Sequence, residues 1–305
     1  MNNTLAFAKA VSLVEYEPAM RAAAEKSTWD WQKAWTVENL TDAASRKYFH
    51  IAGLPPAQQR GEGQGMYYAD LRELQDITIT VSKYTLGTSF THEMLQDNRH
   101  IKNIMRVVGD AFGESHGQVV DVEVANTFNY AWNASLQPMY DGKALLADDH
   151  ALQGMAGGTY DNNLPAMGWS EDNMWLLINH FETIRNHVGL LARDKAEWLV
   201  FDPSKMKEFI KIFSSPNEPG TANNDLNALT RYKVKPLPCP HLTTTTNVFA
   251  LGEKWKKNAI FLWRERFQRD MEKDNLDYHG VRMNTWQRYG KGILDFFPIV
   301  GTPGS

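Results

Sequence analysis

The sequence predicts an α+β protein in which a platform of strands beside one long helix is interrupted by a compact α/β unit. Three observations carry this reading. Residues 76–90, DITITVSKYTLGTSF, place Ile77, Ile79 and Val81 at alternate positions, the period of a strand with one buried face. From Asp97 and Asn98, both good helix caps, the chain then runs without a proline to about Trp132. Ile101, Ile104, Met105, Val108, Phe112, Val119, Val122 and Ala125 fall at helical spacing along it. Finally, residues 136–255 alternate helical and extended patterns, and 259–300 is extended again. The extended stretches bracket the α/β unit, so the economical arrangement pairs them with each other beside the helix.

Taken in order, residues 1–45 read as a helical arm. Its apolar residues come in small groups, Phe7, Val11 and Val14, then Trp29, Trp31 and Trp35, separated by charge. Such a segment buries its aromatics poorly by itself and is expected to lie across something else, such as a neighbouring subunit. Residues 46–75 read as an extended hairpin: a short aromatic strand, a Pro-Pro pair, a polar glycine-rich tract, then Met66-Tyr67-Tyr68 and a second extended run. The stretch from Pro55 to Gly65 has almost nothing to bury, which marks it as functional or disordered.

Residues 76–135 hold the first platform strand and the long helix, roughly 50 Å at 1.5 Å per residue. Gly109, Gly113 and Gly117 cost such a helix stability, so a kink or a close approach is expected there. In 136–255, residues 133–169 read as loop. Ser170 caps a helix with Met174, Leu177, Ile178, Phe181, Ile184 and Val188 on one face, ending at Gly189. AEWLVF (196–201) is a buried strand, Asp202-Pro203-Ser204 opens a helix carrying Met206, Phe209, Ile210 and Phe213, and strands follow at 231–237, 247–251 and 259–264. Residues 256–305 return to the platform.

Composition narrows the function. No apolar run approaches the roughly 18 residues of a membrane helix. MNNTLAFAKAVSLVEYEPAM makes a poor secretion signal, with Lys9, Glu15 and Glu17 in the wrong places, so a cytoplasmic origin is expected. The single cysteine, Cys239, cannot staple the chain. A net charge of −4 argues against a tight nucleic-acid binder; any contact with DNA should be weak and confined to one face. The 11% aromatic content suits either an aromatic-rich core or contact surfaces.

Little in the sequence reads as catalytic. Asp148, Asp149 and His150 are the residue types of a metal or acid–base site, but in a glycine-rich loop without another acid–base partner they read as turn and interface groups. His92-Glu93 lacks the second histidine of a helical zinc site, and Gly154 to Gly158 lacks the Lys-Ser/Thr of a phosphate loop. Cys239, between Pro238 and Pro240, reads as a structural thiol. No cofactor, metal or catalytic residue is expected. The basic cluster Lys254, Lys256, Lys257, Arg264, Arg266 and Arg269 is either a solvated surface or the partner of acidic groups on another copy. Glu62 and Glu73 of the hairpin are the candidates to meet Arg264, Arg266 or Arg269.

The order of features, arm, hairpin, long helix, α/β unit and return, resembles that of the major capsid proteins of tailed bacteriophages, which share the Hong Kong 97-type fold. Local signatures add to it. Leu146-Ala147-Asp148-Asp149-His150 followed by Gly157-Gly158-Thr159-Tyr160-Asp161-Asn162 is similar to the family's "D-H … GGTYSN" segment, with Asp161 in place of Ser. Trp198-Leu199-Val200-Phe201-Asp202-Pro203, then Pro219-Gly220-Thr221-Ala222-Asn223-Asn224-Asp225-Leu226-Asn227, resembles its "L-V-P … G-T-A-D-N-D-I-N" pattern, leading to Pro240-His241-Leu242.

The resemblance implies a non-enzymatic shell protein of the virion. It would assemble with itself as hexamers and pentamers of an icosahedral lattice around packaged double-stranded DNA, in the host cytoplasm. Portal and scaffolding proteins would be partners, and no membrane would be involved. The hairpin would reach over adjacent subunits, residues 76–135 and 256–305 would form the peripheral domain, and 136–255 the axial domain. The architecture begins almost at Met1, so scaffolding is a separate protein or the chain is a mature form. Between residues 48 and 82 there is no lysine, so no lysine–asparagine cross-link through the hairpin is expected. The rival readings are an encapsulin-like compartment and a soluble hydrolase centred on residues 148–160.

Overall fold

A computed structural model describes residues 17–70, 73–91, 93–94, 101–152, 158–217, 226–275 and 278–304, with backbone alone at 17, 101–105, 273–275 and 278–279. The arm residues before 17, the caps Asp97 and Asn98, His92, Gly154–Gly157 and the run 219–225 lie outside it.

Two four-stranded sheets organise the chain. The first has the order β1 (Thr36–Asn39), β10 (Ala259–Asn275), β11 (Tyr278–Ile293), β4 (Ser82–Thr91). The platform strands pair as expected only over 82–91, where β11 runs antiparallel to β4, from Gly280 opposite Thr91 to Tyr289 opposite Ser82. The single strand read at 76–90 is divided, and residues 77–80, with the alternating Ile77 and Ile79, pair instead with residues 45–48 of the hairpin. The second sheet has the order β12 (Ile299–Thr302), β9 (Val248–Gly252), β7 (Ala196–Phe201), β8 (Lys235–Pro238). β12 pairs with β9, so the apolar run ILDFFPIV turns away from the platform and closes the second sheet. Two small ladders complete the set, β2 (Ser45–Tyr48) with β3 (Ile77–Thr80), and β5 (His150–Ala151) with β6 (Thr159–Tyr160).

The long helix α2 (Ile101–Asn129) has 29 residues, about 43 Å. Its glycines are a docking stripe for α1 (Glu17–Glu25). A Cβ at Gly113 would stand 2.6 Å from Ala23 Cβ and from the Met20 carbonyl oxygen, and one at Gly109 2.5 Å from Met20 Cε. The helical cost of glycine is offset here by the approach of a second backbone.

The arm reading needs correction for residues 17–39. Trp29, Trp31 and Trp35 are buried in their own subunit. Trp31 packs on Phe261 of β10 at 5.0 Å and Trp35 on Trp255 at 6.1 Å between ring centroids. Asp121 of α2 fixes the segment, accepting from Ser27 Oγ (2.5 Å), Thr28 N (2.5 Å), Thr28 Oγ1 (2.7 Å) and Trp31 Nε1 (2.9 Å). Each buried indole is worth roughly 4–6 kcal/mol at the usual area coefficient. Spacing along the arm gave no single apolar face because its tryptophans insert individually between the two sheets and α2. One continuous core contains them together with Phe128, Phe249, Trp255, Tyr289 and Ile299.

Helix α3 (Glu171–Thr183) begins as expected, with Asn173 N–H donating to Ser170 Oγ at 3.3 Å. It ends at Thr183 and not at Gly189. Asn186 wins the competition for the backbone, its side-chain oxygen accepting the N–H groups of Val188 (3.2 Å) and Leu190 (2.9 Å), a local turn that replaces helix. Helix α4 (Met206–Ser214) buries Phe209, Ile212 and Phe213 and leaves Ile210 half exposed.

Candidate assembly surface

The hairpin at 46–75 is rooted firmly and exposed beyond its root. Ladder β2–β3 continues through the Ile51–Glu73 bridge and a 2.9 Å bond from Leu74 N–H to the His50 carbonyl. Ala52 and Leu74 are buried, and Gly53 turns the chain at φ +95°, a conformation that favours glycine. Residues 56–68 are then exposed throughout. The exposed side chains include Phe49 (77%), Met66 (69%), Tyr67 (59%) and Tyr68 (85%). A cluster of large apolar groups held in water on a protruding segment marks a contact site, since solvation alone gives no reason to keep them there.

The five charged candidates do not meet within one subunit. Glu62 sits at the exposed tip and Glu73 at the root. Arg266, on β10, lies 3.3 Å from Glu25 of α1 and over the Trp263 ring at 5.6 Å. Arg264 donates to the Thr41 carbonyl, and Arg269 lies 3.8 Å from Met271 Sδ. Among the described residues no ion pair joins either glutamate to these arginines.

The segment around Asp148 is structural. His150 is completely buried, bonded through Nδ1 to Asp141 at 2.7 Å and stacked on Phe296 at 3.9 Å. Asp149 pairs with Lys143 at 2.5 Å. Asn162 is also fully buried, donating to the carbonyls of Leu145 (2.9 Å) and Phe296 (3.0 Å) and accepting from Ala147 N–H (2.9 Å). These residues tie the loop 140–165 to the segment before β12. Among the described residues no three His, Cys, Asp or Glu side chains are grouped to hold a metal ion. Burial pushes the Cys239 thiol up to about 12.

The hairpin root carries a group of residues that sequence reading passed over. His50 Nε2 stands 3.5 Å from Asp295 Oδ2. Asp295 is buried, its other oxygen accepting from the N–H groups of Phe296 (2.7 Å) and Phe297 (3.4 Å). The Tyr140 hydroxyl lies 2.8 Å from His187 Nε2, with its pKa pushed up by burial and by the nearby Asp295 carboxyl. A cavity of about 240 Å³ opens beside the group, between Ala52, Asn186 and Pro298. Burial raises Asp295 to about 7 and lowers both His50 and His187, the latter to about 4 with His50 adding to the effect. The one hint in the sequence is a carboxylate inside the apolar run ILDFFPIV.

With this geometry, the chain has the fold of phage capsid proteins. The capsid structure of the cyanophage P-SCSP1u superposes with a TM-score of 0.56 at 11% identity, covering 92% of this chain and 89% of that one. The capsid of Myoviridae phage XM1 gives 0.56 at 12%, covering 92% and 95%. A virus-like particle from Pyrococcus furiosus gives 0.54 at 10%, covering 95% and 100%. No protein-family model matches the chain, and no curated protein does.

Proposed function

We propose that this chain is the major capsid protein of a tailed bacteriophage, assembling with copies of itself into an icosahedral shell around double-stranded DNA. The observation that carries the proposal is the hairpin: a buried root and an exposed polar tip followed by the exposed Met66, Tyr67 and Tyr68, on a fold like that of capsid proteins over nine tenths of the chain. Those three side chains are the surplus contact surface of the subunit. Repeated with symmetry, many such contacts stabilise a closed shell although each is weak alone. Residues 76–135 and 256–298 would form the peripheral platform, and 136–255 with β12 the axial unit.

In the shell, Glu62 and Glu73 of one hairpin would face Arg264, Arg266 or Arg269 of the next subunit, fixing register more than adding stability. Glu62→Arg should reduce the yield of closed particles, and Arg269→Glu in the same chain should restore part of it. Unchanged yield in the single variant would remove this pairing. The chain would be a virion component, with scaffold and portal proteins meeting it during assembly in the host cytoplasm.

Likeness to the Pyrococcus furiosus particle favours one second reading, an encapsulin-like compartment. Negative-stain microscopy of the expressed chain tests the shell, and the ultraviolet spectrum of particles from infected cells separates the readings. Nucleic-acid-filled shells are expected; protein cargo would favour the compartment, and a lasting monomer would reject both.

A further inference from the structure

We infer that the root of the hairpin is a proton-operated latch: His50 of the root and buried Asp295 share one proton, and losing it loosens the hairpin from the second sheet. The inference starts from connectivity. β2–β3 holds the hairpin on one side, but residues 50–53 rest on a different part of the chain, the segment Leu294–Pro298 and the turn at 186–192. At that seat His50 Nε2 meets Asp295 Oδ2 at 3.5 Å. His50 is the only ionisable side chain that the root, residues 49–53, brings to this seat. The cavity beside it leaves room for the root to shift without breaking the core.

The charges around Asp295 come from every element packed there. Tyr140 lies near it, its hydroxyl 2.8 Å from His187 Nε2. Asp141, near Tyr140, is already committed to His150. Lys254 is the nearest cation acting on Asp295, but its ammonium donates to the Ala192 carbonyl and lies on the exposed side of the seat. Asp194 lines the same cavity and accepts from the N–H groups of Lys195 (3.0 Å) and Lys254 (3.2 Å). Among the described residues no lysine or arginine pairs with the carboxylate, and a charge there is stabilised by the Phe296 and Phe297 N–H groups and, at longer range, by Lys254.

A buried carboxyl in that position favours its neutral form, bonded to the imidazole, or the equivalent state with the proton on His50. Burial accordingly raises Asp295 to about 7. If the root lifts, Asp295 gains water and reverts towards an ordinary carboxylate. By linkage, docking is then favoured by one bound proton. It is at full strength below the exposed pKa, weakens by up to about tenfold per pH unit between that value and about 7, and levels off above.

Amide hydrogen exchange on the unassembled full-length chain tests this. The reporter is the Leu74 amide, bonded to the His50 carbonyl. After correction for intrinsic rates, its protection should fall about tenfold per unit between about pH 5 and 7 and level off above, while amides of α2 keep theirs. Asp295→Asn should abolish the slope and keep the Leu74 amide protected at high pH. Should that variant not fold, the infrared band of a protonated carboxyl in the wild-type chain should vanish as pH rises through about 7. A Leu74 amide indifferent to pH, or a slope that persists in Asp295→Asn, would overturn the latch. Neither result depends on whether the chain forms shells.

Discussion

Asp121 shows how much one side chain carries in this chain. It satisfies four donors of the segment 27–31 from the middle of α2, one of them the indole N–H of a buried tryptophan. Asp121→Ala leaves Trp31 Nε1 without a partner in the core, which should cost about 1–3 kcal/mol, read as a lower denaturation midpoint in urea. A second residue prediction concerns Cys239. A fully buried thiol raised to about 12 should resist iodoacetamide at about pH 8 in the native chain and react on unfolding, as mass spectrometry would record. His187 sets the acid limit of the hairpin seat. Because burial lowers it from 6.5 to about 4, its neutral form stabilises the fold fully above about 6.5, and that contribution is lost as pH falls through about 4. Tryptophan fluorescence during an acid titration should show the loss, and His187→Gln should flatten that limb.

At the scale of elements, the glycine stripe and the hairpin make opposite predictions. Gly113→Val forces a side chain into the contact between α1 and α2 and should destabilise the subunit by about 1–3 kcal/mol. Shortening the hairpin by residues 56–65 removes nothing from the core. The variant should melt within a few degrees of the parent but fail to close shells in the microscope. A large loss of melting temperature would show that the tip packs on its own subunit.

Legibility from sequence followed the same division. Elements whose burial obeys one period were readable: Ser170 capped α3, whose Met174, Leu177, Ile178 and Phe181 are buried, and the polar tract 55–65 left the body of the protein. The single strand read at 76–90, by contrast, divides because Ile77 and Ile79 pair with the hairpin. The arm was misread because Trp29, Trp31 and Trp35 answer to three different neighbours, which no periodicity records. The helix end at Thr183 was missed because the side chain of Asn186, and not Gly189, reorganises the backbone. The root cluster was invisible because His50, Tyr140, His187 and Asp295 are brought together only by the fold. The motif residues His150 and Asn162 were found, and their work is structural.

For the molecule as a whole, the two sheets share one continuous core, which packs without any contact from another copy. The hairpin carries exposed apolar groups beyond its tip, Met66, Tyr67 and Tyr68. In the proposed shell, association would bury that apolar surface without first ordering the core, which lowers the entropic cost of assembly. With a net charge of −4, the stability of the proposed particle should depend weakly on salt compared with that of a DNA-binding protein. The most direct measurement is a cryo-electron microscopy reconstruction of particles formed by the full-length chain. It should place Tyr67 and Tyr68 of each hairpin within contact distance of a neighbouring copy. Hairpins lying back on their own subunits, or a chain that stays monomeric at every concentration, would contradict the account.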